Sequence, residues 1–186
     1  ATGDGTIDKG TRIKYSDSGT EYGTVLSAVN ASGTTTVTLI TNSDYSAAAM
    51  TAGWYSNHVH PPGWPGWFNF TITSSTGWTT SPVPQQVCRY RVVGNSIRVQ
   101  METSGSQTSN TTTASMALPV TAATVANITW AGFTFVIFNN GVQLSAFGQA
   151  QVVSAGTVVS VFRDGTGTAF TASGVKLVTV DVEYQF

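Results

Sequence analysis

The sequence predicts an all-β protein, and three of its features support that prediction. Short runs that alternate apolar with polar residues recur along the whole chain, and clusters of Gly, Asn, Asp and Ser separate them. The β-branched residues Thr and Val are frequent in these runs, as is typical of strands. No stretch carries apolar residues at helical spacing over three turns. We expect a small N-terminal β-barrel-like module, followed by a C-terminal antiparallel β-sandwich of jelly-roll-like architecture.

The small N-terminal module is predicted to span residues 11–53. Residues 1–10 are rich in Gly, Asp and Thr and show no periodicity, so we expect them to form an extended arm that a neighbouring subunit orders. A break at residues 42–44 precedes an Ala-rich segment, 47–50, that fits one helical turn. Strands separated by turns are predicted at residues 11–15, 21–29 and 34–41.

The segment at residues 54–69 joins the two predicted modules. It holds three of the five Trp, both His and three of the six Pro of the chain. Because Pro fixes φ and removes a backbone donor, we predict that this segment is neither a central strand nor a helix. Trp side chains are large and mostly apolar, so their rings are expected to pack together as a plug. We therefore expect a waist between two β modules.

The C-terminal sandwich is predicted to span residues 70–186. Asn139-Asn140-Gly141 is the strongest hairpin signal in the chain, because a type I′ turn needs positive φ at both central residues. Residues 128–138 are the richest in large apolar side chains, so we expect the core there. The last segment alternates to its end, which indicates a strand tied into a sheet. Strands are predicted at residues 70–73, 87–92, 97–103, 111–120, 128–138, 142–147, 150–153, 157–163 and 175–186. The predicted connections include a Pro-broken segment at 78–86, a hairpin turn at 93–96 and polar loops at 104–110 and 164–173.

The low charge of the chain excludes several classes of partner. Charged residues are 9% of the sequence and the net charge is −1, which excludes the basic footprint of a nucleic-acid-binding protein and a polybasic membrane patch. No apolar run reaches the roughly 20 residues of a membrane span, so no membrane insertion is expected. The single cysteine, Cys88, allows no intrachain disulfide and no thiolate metal cluster, and its alternating neighbours predict a small buried side chain.

No constellation of residues in the sequence predicts catalysis. His58 and His60 would share one face of a strand, but a metal site needs three or four ligands. We interpret them as polar edges of the Trp/Pro plug; a metal shared between subunits on a symmetry axis is the alternative. A glycosidase needs two opposed carboxylates at a fixed gap, so Asp181 and Glu183 are interpreted as solvated charges or as partners for Arg89, Arg91 and Arg98. The prediction is a non-enzymatic protein without catalytic residues, cofactor or metal ligands.

Two kinds of ligand contact are nevertheless predicted. Trp64, Trp67 and Trp78 are candidates for a sugar-binding platform, because the C–H faces of sugars stack on indole rings; packing at the module junction is the favoured alternative. The polar loops at 104–110 and 164–173 are candidates for partner contact, and plain solvated connections are an equal alternative. The candidate contact residues in these loops are Ser104, Gln107, Asn110, Asp164 and Thr166.

Parts of the chain resemble a known family of modules. VCRYRVVGNSIRVQM at residues 87–101 and SMALPVTAA at 115–123 resemble a module common at the C-termini of bacteriophage tail-fibre and other virion proteins. In that module an R-Y-x-x-V-G-x-x-V-x-V hairpin precedes a polar loop and a strand that ends S-L-P-V-x-A. GTRIKYSDSGTEYGTVLSAVNASGTTTVTLITNSDYS at residues 10–46, with the Trp/Pro-rich segment after it, is similar to a short module often found just upstream. These motifs are β-hairpin patterns and not catalytic signatures.

The resemblance implies a virion structural protein of a tailed phage, at the virion surface and therefore extracellular. It implies a homotrimer that contacts other virion proteins and a host-surface glycan or protein; we expect the copies to associate through residues 130–138 and 175–186. The chain has no coiled-coil heptads and no repeated shaft motif, so a fibre tip, knob, head fibre or decoration protein fits equally. The alternatives are a secreted carbohydrate-binding module and an extracellular fibre subunit that self-assembles by exchange of the N-terminal arm.

Overall fold

The structure, a computed structural model, describes residues 7–16, 19–41, 52–58, 61–105 and 107–186. These residues form β-strands, turns and loops without a helix, which confirms the predicted all-β class. The strands are β1 (Arg12–Ser16), β2 (Thr20–Ala31), β3 (Thr34–Thr41), β4 (Ala52–Ser56), β5 (Phe68–Asn69), β6 (Ser75–Thr76), β7 (Gln85–Val93), β8 (Ser96–Thr103), β9 (Gln107–Thr108), β10 (Ser115–Ala117), β11 (Thr129–Asn139), β12 (Val142–Gln143), β13 (Gly148–Val153), β14 (Val158–Phe162) and β15 (Val175–Gln185).

The chain divides into two compact units. The first unit is Ala1–Phe68 with Val92–Asn95, and the second is Asn69–Arg91 with Ser96–Phe186. The first unit contains an antiparallel sheet of four strands in the order β3-β2-β1-β4. Tyr15 and Val25 are fully buried in this sheet. The turn between β2 and β3 has positive φ at Ser32 and Gly33, as a two-residue hairpin of type I′ requires.

Two findings bear on the expectations for the first unit. The start of the 54–69 segment belongs to strand β4, which pairs with β1 and lies at the edge of the sheet, in agreement with the prediction that the segment is not a central strand. This is possible because Pro61 is the first Pro of the segment, so the backbone N–H groups before it are free to join the ladder. At the predicted arm, the N–H of Gly10 donates to the carbonyl of Val25 at 2.8 Å, which ties the described end of the arm to β2 of its own chain. The predictions for residues 1–6, 42–44 and 47–50 lie outside the described residues.

The second unit is built on one antiparallel sheet in the order β5-β7-β8-β15-β11-β13-β14-β10-β6, with β12 paired to β11 and β9 to β15. Its inner face carries the core: Ile97, Val99, Met101, Ile137, Ala150, Val152, Val159, Val161, Val178, Val180 and Val182. The sheet curls, since the segment after the edge strand β6 lies against the central strand β15, where Trp78 Nε1 donates to the carbonyl of Lys176 at 3.3 Å. One curled sheet thus encloses the sandwich-like core that we expected between two sheets.

Several predicted strands in the second unit are shorter or absent. Residues 70–73 form no strand; the N–H of Ile72 donates to Gln85 Oε1 at 2.8 Å, so a side chain replaces a ladder partner. Of the strand predicted at 111–120 only β10 is present, because Thr111 Oγ1 accepts the N–H of Thr113 and turns the chain on itself. The strand predicted at 142–147 is limited to β12. The loop predicted at 104–110 contains β9, which pairs with β15.

Other predictions for the second unit are confirmed. The hairpin at residues 139–141 has φ of 53° at Asn140 and 79° at Gly141, the positive values of a type I′ turn. The last predicted strand is present as β15, which pairs with β8 on one side and with β11 on the other. Cys88 is buried in β7, and burial raises the pKa of its thiol to about 12.

Candidate functional site

The largest cluster of exposed aromatic side chains in the described part of the second unit lies on β11 and immediately before β13. Phe133 is 65% exposed, Phe135 54% and Phe147 67%. We call these three residues the outer aromatic face. The rings of Phe135 and Phe147 meet edge to face, with centroids 6.4 Å apart and an interplanar angle of 78°. Phe133 lies two residues before Phe135 on the same face of β11, so the three rings lie side by side as one apolar patch.

Strand alternation places these residues outside. On β11, Gly132 and Thr134 point to the buried side, so Phe133 and Phe135 point to the other. In the pairing register Phe133 lies opposite Gln149 on β13 and Asp181 on β15. The expectation that residues 128–138 form the core holds for alternate positions only, because Phe133 and Phe135 face outward.

A charged cluster flanks the outer aromatic face on the same side of the sheet. Arg98 forms a two-point ion pair with Asp181, with distances of 2.8 Å from Nε and 2.6 Å from Nη2. Gln100 Nε2 also donates to Asp181 at 2.8 Å. Partial burial raises the pKa of Asp181, but the bonds from Arg98 and Gln100 outweigh it and leave the pKa below its ordinary value. The interpretation of Asp181 as an Arg partner is thus confirmed for Arg98.

The charged cluster and the aromatic face border a shallow pocket. It measures about 210 Å³, and its lining includes Arg89, Gln100, Glu102, Phe135 and Asp181. A polar wall beside an apolar centre is the layout of protein interfaces, in which a ring of polar residues surrounds the buried apolar core. Chemically, this side of the sheet offers apolar area together with fixed hydrogen-bonding groups at its edge.

A buried lysine, Lys176, lies inside the second unit. Lys176 is 1% exposed, and its Nζ donates to the carbonyls of Gly77, Thr111 and Thr113 at 3.1, 3.1 and 2.9 Å. Burial lowers the pKa of its ammonium to about 8. The three acceptors satisfy the three donors of an ammonium group, so this lysine holds loops to β15 and has no donor left for a substrate.

Trp78, predicted as part of a sugar platform, belongs to this lysine site. It is 2% exposed, and Lys176 Nζ lies 5.3 Å from the centroid of its ring. Phe170, also buried, faces the same Nζ at 4.9 Å. The ring of Trp78 therefore has no free face for a sugar. Asn110, a predicted contact residue, donates from Nδ2 to the carbonyl of Trp78 at 2.7 Å, which fixes its amide in the fold.

The other predicted loop residues are engaged within their own loops. Gln107 belongs to β9, and its Nε2 donates to the carbonyl of Ser104. Asp164 Oδ1 accepts hydrogen bonds from the hydroxyl of Thr166 at 2.7 Å and from the backbone N–H of Thr168 at 3.0 Å. The bonds from Thr168 and Thr166 hold the pKa of Asp164 well below its usual range. These contacts account for the loop conformations, and the role of these residues toward a partner stays a prediction.

The remaining predicted residues lie in the first unit. Trp64 is half-buried, and its ring meets the edges of Tyr22 and Phe68 at centroid distances of 5.2 and 5.7 Å. Trp67 is also half-buried. His58 is exposed, while His60 lies outside the described residues. Among the residues that the structure describes, no three His, Cys, Asp or Glu side chains form a group that could hold a metal.

The sequence predicted association through residues 130–138 and 175–186 but did not single out the outer aromatic face. A signal was present, since Phe133 and Phe135 alternate with Gly132 and Thr134. Alternation alone does not say which set faces inward when the smaller set fills the core. A scan of the sequence against models of protein families found no match, and a search of curated proteins found none either. Within the described residues, no helix has the length and apolarity needed to cross a membrane.

Proposed function

We propose that this chain is a non-enzymatic structural protein of a bacteriophage virion surface and that it works as a homo-oligomer, with a trimer as the expected form. The resemblance at residues 87–101 and 115–123 supports the virion role. The proposal of an oligomer rests on the outer aromatic face. On this proposal, the face is the contact between copies, and the protein serves as a fibre tip, knob, head fibre or decoration protein.

The physical argument starts from the cost of leaving these rings in water. Burying a Phe side chain contributes roughly 1.5–3 kcal/mol relative to exposure, and Phe133, Phe135 and Phe147 are each more than half exposed. An interface core of aromatic residues with a polar rim is typical of stable protein contacts. The Arg98–Asp181 pair supplies such a rim next to the rings. Copies of this face that meet around a threefold axis offer one another matching apolar area.

The native mass of the chain tests the oligomer. We expect light scattering after size exclusion to give three times the monomer mass at micromolar concentration. The double variant Phe133→Ser/Phe147→Ser should lower that mass, because it removes the two most exposed rings of the face. Val29→Ser is the matched control, since Val29 is 59% exposed on β2, outside the face. A monomeric wild-type chain would refute the proposed assembly.

The virion role needs a separate test. Phage particles released from cells that encode the protein can be purified and labelled with gold-coupled antibodies raised against the chain. We expect label at a defined position, on the tail or on the head, in electron micrographs. Particles that carry no label, with the protein found only as a free species in the lysate, would contradict the virion role even if the protein is oligomeric.

A further inference from the structure

The first unit has a small cleft on one face of its four-stranded sheet, built from basic and aromatic side chains. The cleft measures about 190 Å³. We call it the basic aromatic cleft, and the lining residues that matter here are Arg12, Lys14, Tyr22, Trp54, Pro62 and Trp64. Among the described residues that line it, none is acidic.

The register of the sheet brings the basic and aromatic side chains together. β1 lies between β2 and β4. Lys14 on β1 is directly opposite Tyr22 on β2 and Trp54 on β4. The three side chains therefore form a row across three strands, on one face. Arg12, two residues before Lys14, lies on the same face because side chains alternate along a strand.

Two indole rings give the cleft its apolar surfaces. Trp64 is held edge to face against Tyr22 and Phe68, which fixes its position. Trp54 is 57% exposed, and the Nζ of Lys14 lies 5.6 Å from the centroid of its ring. An exposed indole beside an ammonium group offers a stacking surface and a positive charge to the same ligand.

Arg12 adds a second positive charge. It is 3% exposed, and within the described residues it forms no ion pair. Its Nη2 donates to the carbonyl of Val92 at 3.1 Å, and its Nη1 donates to the carbonyl of Gly10. The buried Nε has no hydrogen-bond partner. Burial lowers the pKa of its guanidinium. Within the described residues no carboxylate offsets the cost of burying this cation, and an anion bound in the cleft would compensate it.

We propose that the basic aromatic cleft binds one carboxylate-bearing sugar unit of an acidic polysaccharide. The C–H face of the sugar ring stacks on Trp54, and the carboxylate lies toward Lys14 and in the field of Arg12. The volume fits one unit of a longer chain, because pockets for drug-sized ligands measure roughly 300–1,000 Å³. A nucleic acid is disfavoured, since its binding requires many phosphate contacts and the protein has a net charge of −1.

The inference takes its biological setting, a host-surface glycan, from the proposed function. Its test does not depend on that function. Substitutions in the cleft leave the outer aromatic face unchanged, and substitutions in that face leave the cleft unchanged. Native mass and sugar affinity therefore separate the two proposals, because either one can fail while the other holds.

The experiment titrates the full chain with a panel of defined oligosaccharides. The panel pairs galacturonic acid, glucuronic acid and sialic acid oligomers with their neutral counterparts, and Trp fluorescence and calorimetry report binding. We expect at least one acidic member to bind at least about tenfold more tightly than its neutral match. Lys14→Gln and Trp54→Ala should each weaken that binding by about tenfold, and added salt should weaken it further.

Three controls make the result specific. Lys14→Arg keeps the charge and should keep most of the affinity, while Val29→Ser, on the same sheet but outside the cleft, should change nothing. Thermal unfolding of each variant checks that the fold is retained. The proposal is overturned if no acidic member binds, if the neutral counterparts bind equally well, or if binding survives both Lys14→Gln and Trp54→Ala.

Discussion

Lys176 shows at the scale of one residue how a charge is accommodated inside an all-β core. Its Nζ donates to three backbone carbonyls and faces the rings of Trp78 and Phe170. Buried charges are normally paired with an opposite charge. Within the described residues, Lys176 forms no ion pair, and carbonyl dipoles with aromatic faces take the place of a counter-ion. The lysine therefore ties loops from distant parts of the chain to β15.

Replacing this lysine should destabilise the fold. Lys176→Met keeps a long apolar side chain but leaves the carbonyls of Gly77, Thr111 and Thr113 without their donor. An unsatisfied buried polar group costs about 1–3 kcal/mol, and partial relaxation lets water reach some of them. We expect a loss of about 2–4 kcal/mol in the free energy of unfolding, measured by urea denaturation. A loss below about 0.5 kcal/mol, within the range of surface substitutions, would contradict this structural role.

The pH dependence of stability should also report Lys176. Burial lowers the pKa of this ammonium to about 8 from an ordinary value of 10.5. Between these pH values the unfolded chain binds a proton that the folded chain does not, so the stability of the wild type gains a term that rises with pH. Lys176→Met lacks the term. The difference in unfolding free energy between the two proteins should widen from pH 8 toward 10.5; a constant difference would refute the lowered pKa.

Glycine residues in two strands allow close packing between neighbouring strands. Gly148 is the first residue of β13 and follows Phe147 directly. A Cβ at Gly148 would collide with the side chains of Ile137 and Thr134 and with the carbonyl of Phe162. Gly132 on β11 is similarly enclosed by Asp181 and Val182 of β15. Glycine at these two positions lets neighbouring strands approach closely.

Gly148→Ala should therefore be costly. We expect it to lower the free energy of unfolding by about 1–3 kcal/mol, the usual range for overpacking, as measured by chemical denaturation. Gly165→Ala is the matched control, because a Cβ at Gly165 meets no atom within 4 Å and its φ lies outside the positive range. Equal effects of the two substitutions would show that packing at residue 148 is looser than the structure indicates.

The ion pair between Arg98 on β8 and Asp181 on β15 allows a second test of what holds neighbouring strands together. Arg98 lies opposite Glu183 in the register but binds Asp181 at two points. Asp181→Asn should cost about 1 kcal/mol, the upper part of the range for partly exposed pairs, while Glu183→Gln should cost less than half of that. The free energies of unfolding of the two variants decide this, and a larger loss in Glu183→Gln would assign the partner of Arg98 differently.

The outer aromatic face exposes a measurable area of apolar surface on the second unit. Its three Phe rings, each more than half exposed, leave on the order of 400 Å² of aromatic surface in water. That is close to the largest patch on a typical monomer and about half of the roughly 800 Å² that each partner buries in a standard interface. The charged cluster around Asp181 can supply the remainder as a rim. An interface of standard size through this face would therefore have to include the charged cluster as well as the rings.

Assembly makes thermal stability depend on concentration. If copies associate through the outer aromatic face, the midpoint of thermal unfolding should rise with protein concentration, because association stabilises only the folded chain. For Phe133→Ser/Phe147→Ser we expect a midpoint that no longer depends on concentration. Calorimetric scans over a hundredfold range of concentration measure this. A wild-type midpoint that stays constant would exclude association under those conditions.

Sequence alone determined the class of the fold and most strand positions. The all-β class, β3 at residues 34–41 and the hairpin at 139–141 follow from β-branched runs and turn residues. Strand alternation and turn chemistry are local, so a few neighbouring residues decide them. The boundaries failed where a side chain replaced a ladder partner, as Gln85 does for Ile72.

Which side chains of a strand face outward depends on the packed fold and not on the local sequence. Nothing local shows that Phe133 and Phe135 face outward while Gly132 and Thr134 face inward, because that depends on the strands at either side. The partners of Lys176 lie 63 to 99 residues earlier in the chain, and the row of Tyr22, Lys14 and Trp54 exists only through the register of three strands. These sites arise from contacts between residues distant in sequence, and folding alone brings such residues together.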